Sequence, residues 1–241
     1  MPALMLVSSM LVAMSGCNSL PVDDYAVFDP HEKGNRVSYR VSDAVDEAVI
    51  APVARGYRYV TPDWLERGIG NFFTNLRTLP SALNGFLQGK PARGGTDFAR
   101  LVINSTVGVA GFFDVARSWG LEFQDEDFGQ TLAVWGVKKS RYIYVPFLGP
   151  STLRDLPTTL IRGSIPRLII GSDYPWALSG LDLIQVRASV LGATDARQAS
   201  ALDPYAFTRD AYFQRRKYLI YDGAPPLDEL FEEFDEFEDD D

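Results

Sequence analysis

The chain has 241 residues, 46% of them apolar and 12% aromatic, which is enough to build a core and excludes global disorder. Its formal net charge is −9, but residues 228–241 hold ten acids and no base, so the rest carries 23 bases against 22 acids and is close to neutral. That balance lacks the basic footprint of a nucleic-acid-binding protein, and residues 223–241 read as a solvated, disordered acidic tail.

The first 16 residues carry no charge. Leu4–Val7 and Met10–Met14 form an apolar stretch shorter than the ~20 residues a spanning helix needs, so residues 1–16 read as a signal peptide. No basic segment precedes it, which points to a start upstream of Met1. Ser15-Gly16-Cys17 resembles a bacterial lipobox, with Met14 where leucine is usual. Cys17 is the only cysteine and cannot form an internal disulfide, so acylation is its expected use. The competing reading is a fortuitous cysteine in an ordinary cleaved signal. Each buried acyl CH₂ is worth ~0.8 kcal/mol, so several chains would hold the protein on a membrane. Asn18, not aspartate, follows the cysteine and permits sorting to an outer membrane.

Residues 17–34 read as an irregular linker. Val41, Ala44, Val45, Ala48 and Val49 then fall at helical spacing and predict an amphipathic helix ending near Pro52. Pro62 opens a second helix through Leu76. Pro80 opens a third, with Leu83, Phe86 and Leu87 on one face. Thr96 caps a fourth, containing Phe98, Leu101 and Val102, which Gly108 and Gly111 end. Phe128–Val134 is a short helical candidate. Tyr142–Val145 is strand-like between Gly136 and Pro146, and Ser151 is placed to cap the next helix. Apolar residues between 156 and 170 are interrupted by Arg162, Pro166 and Arg167. A long helix is expected from Tyr174 to Leu191, and Asp203-Pro204 opens a last one to Tyr218. The sum is a mainly α chain with one small β-hairpin or extended loop. By pattern alone it fits a water-soluble bundle with its apolar faces turned inward; short helices lying in one membrane leaflet fit too.

The chemistry of an enzyme is missing. His31 is the single histidine and lies in the linker. There is no G-x-S-x-G, no P-loop and no G-x-G-x-x-G. Asp127-Phe128-Gly129 has none of the other kinase motifs around it. Asp114, Glu122, Asp125, Glu126 and Asp127 show no spacing that supports a glycosidase pair. No catalytic residue, metal or cofactor is expected.

A series of short stretches then resembles the MlaA/VacJ family. They are Asp29-Pro30 with Asn35-Arg36, Pro52–Tyr57, Asn71–Leu76, Asn84–Gly89, Asn104–Gly108 and Gly111–Ala116. Further on come Asp127–Leu132, Trp135-Gly136, Leu148–Ser151 with Arg154-Asp155, Asp203–Tyr205 and Ala211–Phe213. Each is weak alone; their order across residues 29–218 is specific. The resemblance implies a domain over 35–222, a ring of short amphipathic helices embedded in the periplasmic leaflet of the outer membrane. It implies a central channel that takes mislocalised phospholipids out of the outer leaflet and maintains lipid asymmetry. A trimeric porin and a soluble periplasmic lipid carrier are the implied partners.

On this reading Arg154, Arg162 and Arg167 contact phospholipid head groups, or are interface arginines that snorkel their charge to water. Tyr142, Ile143, Tyr144 and Val145 form a flexible lip of the channel or a surface hairpin. Asn35, Arg36, Asn71, Asn75, Asn84 and Gln88 are read as structural, with the paired amides bonding backbone at tight helix crossings. Changes in the helix that starts at Asn35 are expected to loosen the channel. A lipoprotein that scaffolds porins or the envelope is the alternative function.

Overall fold

The computed structural model describes residues 29–225 apart from 138, 163 and 171–174. The expected signal peptide, Cys17 and the acidic run from residue 226 lie outside the described residues, as does the side chain of Arg167. The architecture is mainly α. Helix α1 (Glu32–Val45) passes through a turn of π-helix (Asp46–Ile50) into α2 (Ala51–Val60). Then come α3 (Asp63–Leu87), α4 (Pro91–Thr106), α5 (Val115–Ser118) and α6 (Phe128–Val134). The strands β1 (Tyr142–Val145) and β2 (Gly149–Thr152) form an antiparallel hairpin with Tyr142 opposite Thr152 and Val145 opposite Gly149. The chain closes with α7 (Leu156–Arg162), α8 (Ile165–Ile170), α9 (Pro175–Ser189), α10 (Leu191–Ser200) and α11 (Pro204–Ile220).

Several helix starts follow from local chemistry. Asp114, Asp127 and Asp203 each turn a carboxylate onto free N–H groups of the first turn, of Arg117, of Gln130, and of Tyr205 and Ala206. Pro204 follows Asp203, where a missing N–H costs nothing.

Other boundaries differ from the pattern. Pro80 does not open a helix; it sits inside the 25-residue α3. Its ring tolerates helical φ, and Asn84 Nδ2 donates to Pro80 O at 2.8 Å across the next turn. At 1.5 Å per residue α3 is about 37 Å long, so the helices are not uniformly short. Pro52 likewise starts α2 without ending the preceding helical run. Helix α4 begins at Pro91, and Thr96 bonds back to Ala92 O within it. Ser151 lies in β2 and caps nothing. The helix expected from Tyr174 to Leu191 is found as α9, and α10 follows it as a separate helix. Among the described residues, no helix is long and apolar enough to cross a membrane.

Neighbouring contacts close into a circuit. Helix α1 packs on β1, β2 on α11, α11 on α6, α6 on α3, α3 on α9, and α9 on α2, which leads back to α1. Helix α4 lies along α3 and carries α5.

The interior holds many polar and charged groups beside its apolar residues. Two small clusters are apolar: Ala51, Ala54, Ala188 and Leu191, and the aromatic group Tyr39, Tyr142 and Tyr205. Around them Asn35, Ser81, Asp97, Arg100, Asn104, Glu126, Gln130, Arg154, Asp155 and Arg216 are buried. The apolar positions read from the pattern, Val41, Val45 and Val49, then Leu83, Phe86 and Leu87, then Phe98 and Val102, are exposed.

Candidate functional site

The outer surface of α1 and α2 shows how this arrangement is built. Val37, Val41, Val45, Val49 and Val53 recur every fourth residue, and all are between 37% and 56% exposed. A four-residue repeat drifts around an α-helix of 3.6 residues per turn. The π turn over Asp46–Ile50 winds less per residue and counteracts that drift, which keeps the valines on one side. The opposite side holds the polar groups. Asn35, Tyr39 and Ser42 are buried, Asp43 pairs with Arg197 at 3.0 Å, and Asp46 takes two bonds of 2.8 Å from Arg187. Fully burying a valine is worth ~1.5–3 kcal/mol, so a half-exposed row of five gives up several kcal/mol in water.

Inside, three polar networks join the elements. In the first, Asp155 accepts from Arg154 Nε at 2.9 Å, from Arg216 Nη2 at 2.9 Å and from the Tyr212 hydroxyl, while Arg216 also holds Asp127. Burial pushes the Asp155 carboxyl up, but the Arg216 charge, and the hydrogen bond and charge of Arg154, outweigh it and hold the group at about 2. This network ties α6, β2, the start of α7 and α11 together. In the second, Ser81 bonds Asp97 and accepts from Glu126 N at 2.8 Å; Gln88 reaches Glu126 at 2.9 Å, and Thr131 reaches Asn84 at 2.8 Å. Burial raises the Asp97 carboxyl above the ordinary range. In the third, Arg100 holds both oxygens of Asp114 at 3.0 Å and Asn104 Nδ2 adds a bond of 2.9 Å. Asp155, Asp127, Asp114 and Glu126 are paired with arginines, whereas Asp97 has hydrogen bonds from the Ser81 hydroxyl and from Gln124 N at 3.1 Å.

The residues singled out by sequence divide among these places. Asn35 sits where α1 meets the hairpin: it donates to Asp29 at 2.7 Å and to Tyr142 O at 3.2 Å, and accepts from Tyr144 N at 3.0 Å. Arg36 clamps Asp203 with two bonds of 3.1 and 2.6 Å, linking α1 to α11. Asn71 donates to Phe112 O at 3.2 Å, Asn75 to the Ser105 hydroxyl at 3.0 Å, and Asn84 and Gln88 belong to the second network. Asn71 and Asn84 therefore bond backbone, and Asn75, Asn84 and Gln88 bond side chains.

Tyr142 is fully buried and packs against Tyr205, Tyr212 and Phe213. Ile143, Tyr144 and Val145 continue the paired strand, and burial pushes the Tyr144 hydroxyl up to about 12. The exposed part of the hairpin is its turn, Phe147 and Leu148. Arg154 is 6% exposed and its guanidinium points to Asp155 and Val137 O, whereas Arg162 is exposed at the end of α7. The structure does not bring these two arginines together. Asp97, Ser81 and Arg216 were not singled out, because isolated acids, hydroxyls and bases in helical runs look like a solvated face; Glu126 was weighed only as a catalytic acid. Among the described residues no group of histidine, cysteine or acid is placed to hold a metal.

The helical body thus combines charged, hydrogen-bonded interior networks with a row of exposed apolar side chains on its outer face. The family model described as MlaA lipoprotein matches residues 27–219. The "Intermembrane phospholipid transport system lipoprotein MlaA" of Escherichia coli K12 is 34% identical over 229 residues, covering 92% of this chain and 88% of that protein. The protein of the same name from Haemophilus influenzae is 30% identical over 204 residues, covering 81% and 80%. A solved structure described as the structural basis for maintenance of bacterial outer membrane lipid asymmetry superposes with a TM-score of 0.70 at 32% identity, over 80% of this chain and 98% of that one. The chain belongs to the MlaA lipoprotein family, a family of transport lipoproteins and not of enzymes.

Proposed function

We propose that this protein is an outer-membrane lipoprotein that removes mislocalised phospholipids from the outer leaflet and passes them to a soluble periplasmic carrier, keeping the outer membrane asymmetric. The observation that carries the reading is the inversion: the row from Val37 to Val53 faces outward while Asp43, Asp46 and the buried networks face inward. A body of that kind is stable with its rim in acyl chains. The closed circuit of contacts supports a ring, and polar groups within an apolar rim suit a molecule with an ionic head and greasy tails. Passive movement through such a ring needs no nucleotide and no catalytic group.

The parts divide as follows. Residues 1–16 direct export, Cys17 is acylated, 17–34 form the linker, 35–222 form the transport body, and 223–241 form an acidic tail. The body lies in the periplasmic leaflet beside a trimeric porin. Exposed Arg162 is placed for head-group contact; Arg154 positions Asp155. Deleting the gene and labelling outer-leaflet phospholipid tests the function. Accumulation reversed by the wild-type gene is expected. Unchanged asymmetry with altered porin assembly would point to a scaffold instead.

A further inference from the structure

From Leu101 in the last turns of α4 to Phe113, just before α5, the chain has no ionisable residue. Its tip is exposed and apolar: Val107, Val109 and Phe113 are 62%, 63% and 55% accessible. Exposed loops ordinarily leave backbone N–H groups to water. This one donates every N–H from Val107 to Phe113 within the chain. Val107 and Gly108 donate to Ile103 O at 2.9 and 3.1 Å, Val109 to Thr106 O at 3.4 Å and Ala110 to Ser105 O at 3.1 Å. Gly111 donates to Asn104 O at 2.7 Å, Phe112 to Val109 O at 3.1 Å and Phe113 to Gly108 O at 2.9 Å. The polar side chains leading into the tip are also engaged. Asn104 bonds Asp114, Ser105 accepts from Asn75 and Thr106 donates to Val102 O at 2.7 Å.

Closing these bonds is conformationally expensive. Val109 and Ala110 take φ of 53° and 57°, the left-handed region that a β-branched residue avoids. Gly108 has no room for a side chain, since a Cβ there would meet Phe113 O at 2.3 Å. Water would satisfy the same donors with no such strain, whereas hydrocarbon would not. We propose that Val107–Phe113 is a wedge inserted into the acyl region of a lipid monolayer. Its occupied surroundings are lipid tails, not a second protein. Trp64, which is exposed, meets Phe112 edge-on at 6.3 Å; tryptophan favours the level of the head groups. The inference rests on the lipid-facing reading of the exterior and adds the segment that reaches into the tails.

The test places a nitroxide on Val109→Cys in the full-length protein, with Cys17 acylated or replaced by serine, in vesicles of phosphatidylethanolamine and phosphatidylglycerol. Glu122→Cys and Val49→Cys serve as references. Cysteine removes the β-branch at a left-handed position, so the fold is not endangered. Collision with oxygen several-fold above collision with a water-soluble nickel chelate is expected at 109, and the reverse at 122. Nickel access at 109 would overturn the wedge. So would shielding from both reagents, which would mean a protein covers the tip. If 49 still reports hydrocarbon in either case, the lipid-facing reading stands; if 49 also reports water, both fall.

Discussion

Arg216 on α11 reaches Asp155 at 2.9 Å although 61 residues separate them, and both side chains are almost wholly buried. Removing one partner leaves the other charged and unpaired in the interior, which typically costs ~3–5 kcal/mol. Asp155→Ala should therefore lower the midpoint of chemical unfolding strongly, while Glu122→Ala, an exposed site, should stay within about 0.5 kcal/mol. Equal effects would remove the network from the account of stability.

The same pair sets an acid limit. The Asp155 carboxyl is held at about 2, below its ordinary value of ~3.9, so its contribution is complete above the ordinary value and is lost as the pH falls through the folded one. The contribution is on the order of 2–3 kcal/mol. Unfolding midpoints of wild type should drop between pH 4 and pH 2, and Asp155→Asn should lack that portion of the drop.

Asn35 joins α1 to both neighbours through a carbonyl, an amide and Asp29. Asn35→Ala leaves those buried groups unmatched, at ~1–3 kcal/mol for each unsatisfied one. The expected result is faster amide exchange at Tyr144 and a loosened hairpin, with leakier lipid asymmetry in cells. Unchanged exchange at Tyr144 would contradict it.

A charge on the outer face separates packing from solvent. Val49 is 56% exposed, so Val49→Glu should fold normally in detergent. It should nonetheless lower retention by membranes, because the new carboxylate must leave water for lipid. Retention equal to wild type would place this face in water.

Cys17→Ala tests the anchor separately. Incorporation of labelled palmitate should disappear and the mature N-terminus should change. Continued labelling would end the lipobox reading.

Much of the element order was legible. Phe128–Val134 and the start at Asp203-Pro204 follow from caps and short apolar runs, and the first strand of the hairpin from β-branched and aromatic residues between glycine and proline; its partner Gly149–Thr152 was not read. What periodicity does not carry is the solvent a face meets. Val41, Val45 and Val49 share a side in either medium, and only the pairing of Asp43 and Asp46 with Arg197 and Arg187 shows which side is inside. Pro80 misled because a helix can run through proline when packing holds both halves. Asp97 and Arg216 were invisible for a related reason: their partners are 16 residues or more away and only the fold assembles them.

The most direct measurement is sedimentation of the full-length Cys17→Ser protein, free of acyl chains, with and without phospholipid vesicles in detergent-free buffer. The account predicts that it self-associates alone and floats with vesicles, because the valine row and the Val107–Phe113 tip have no place in water. A compact, monodisperse monomer that ignores vesicles would contradict it.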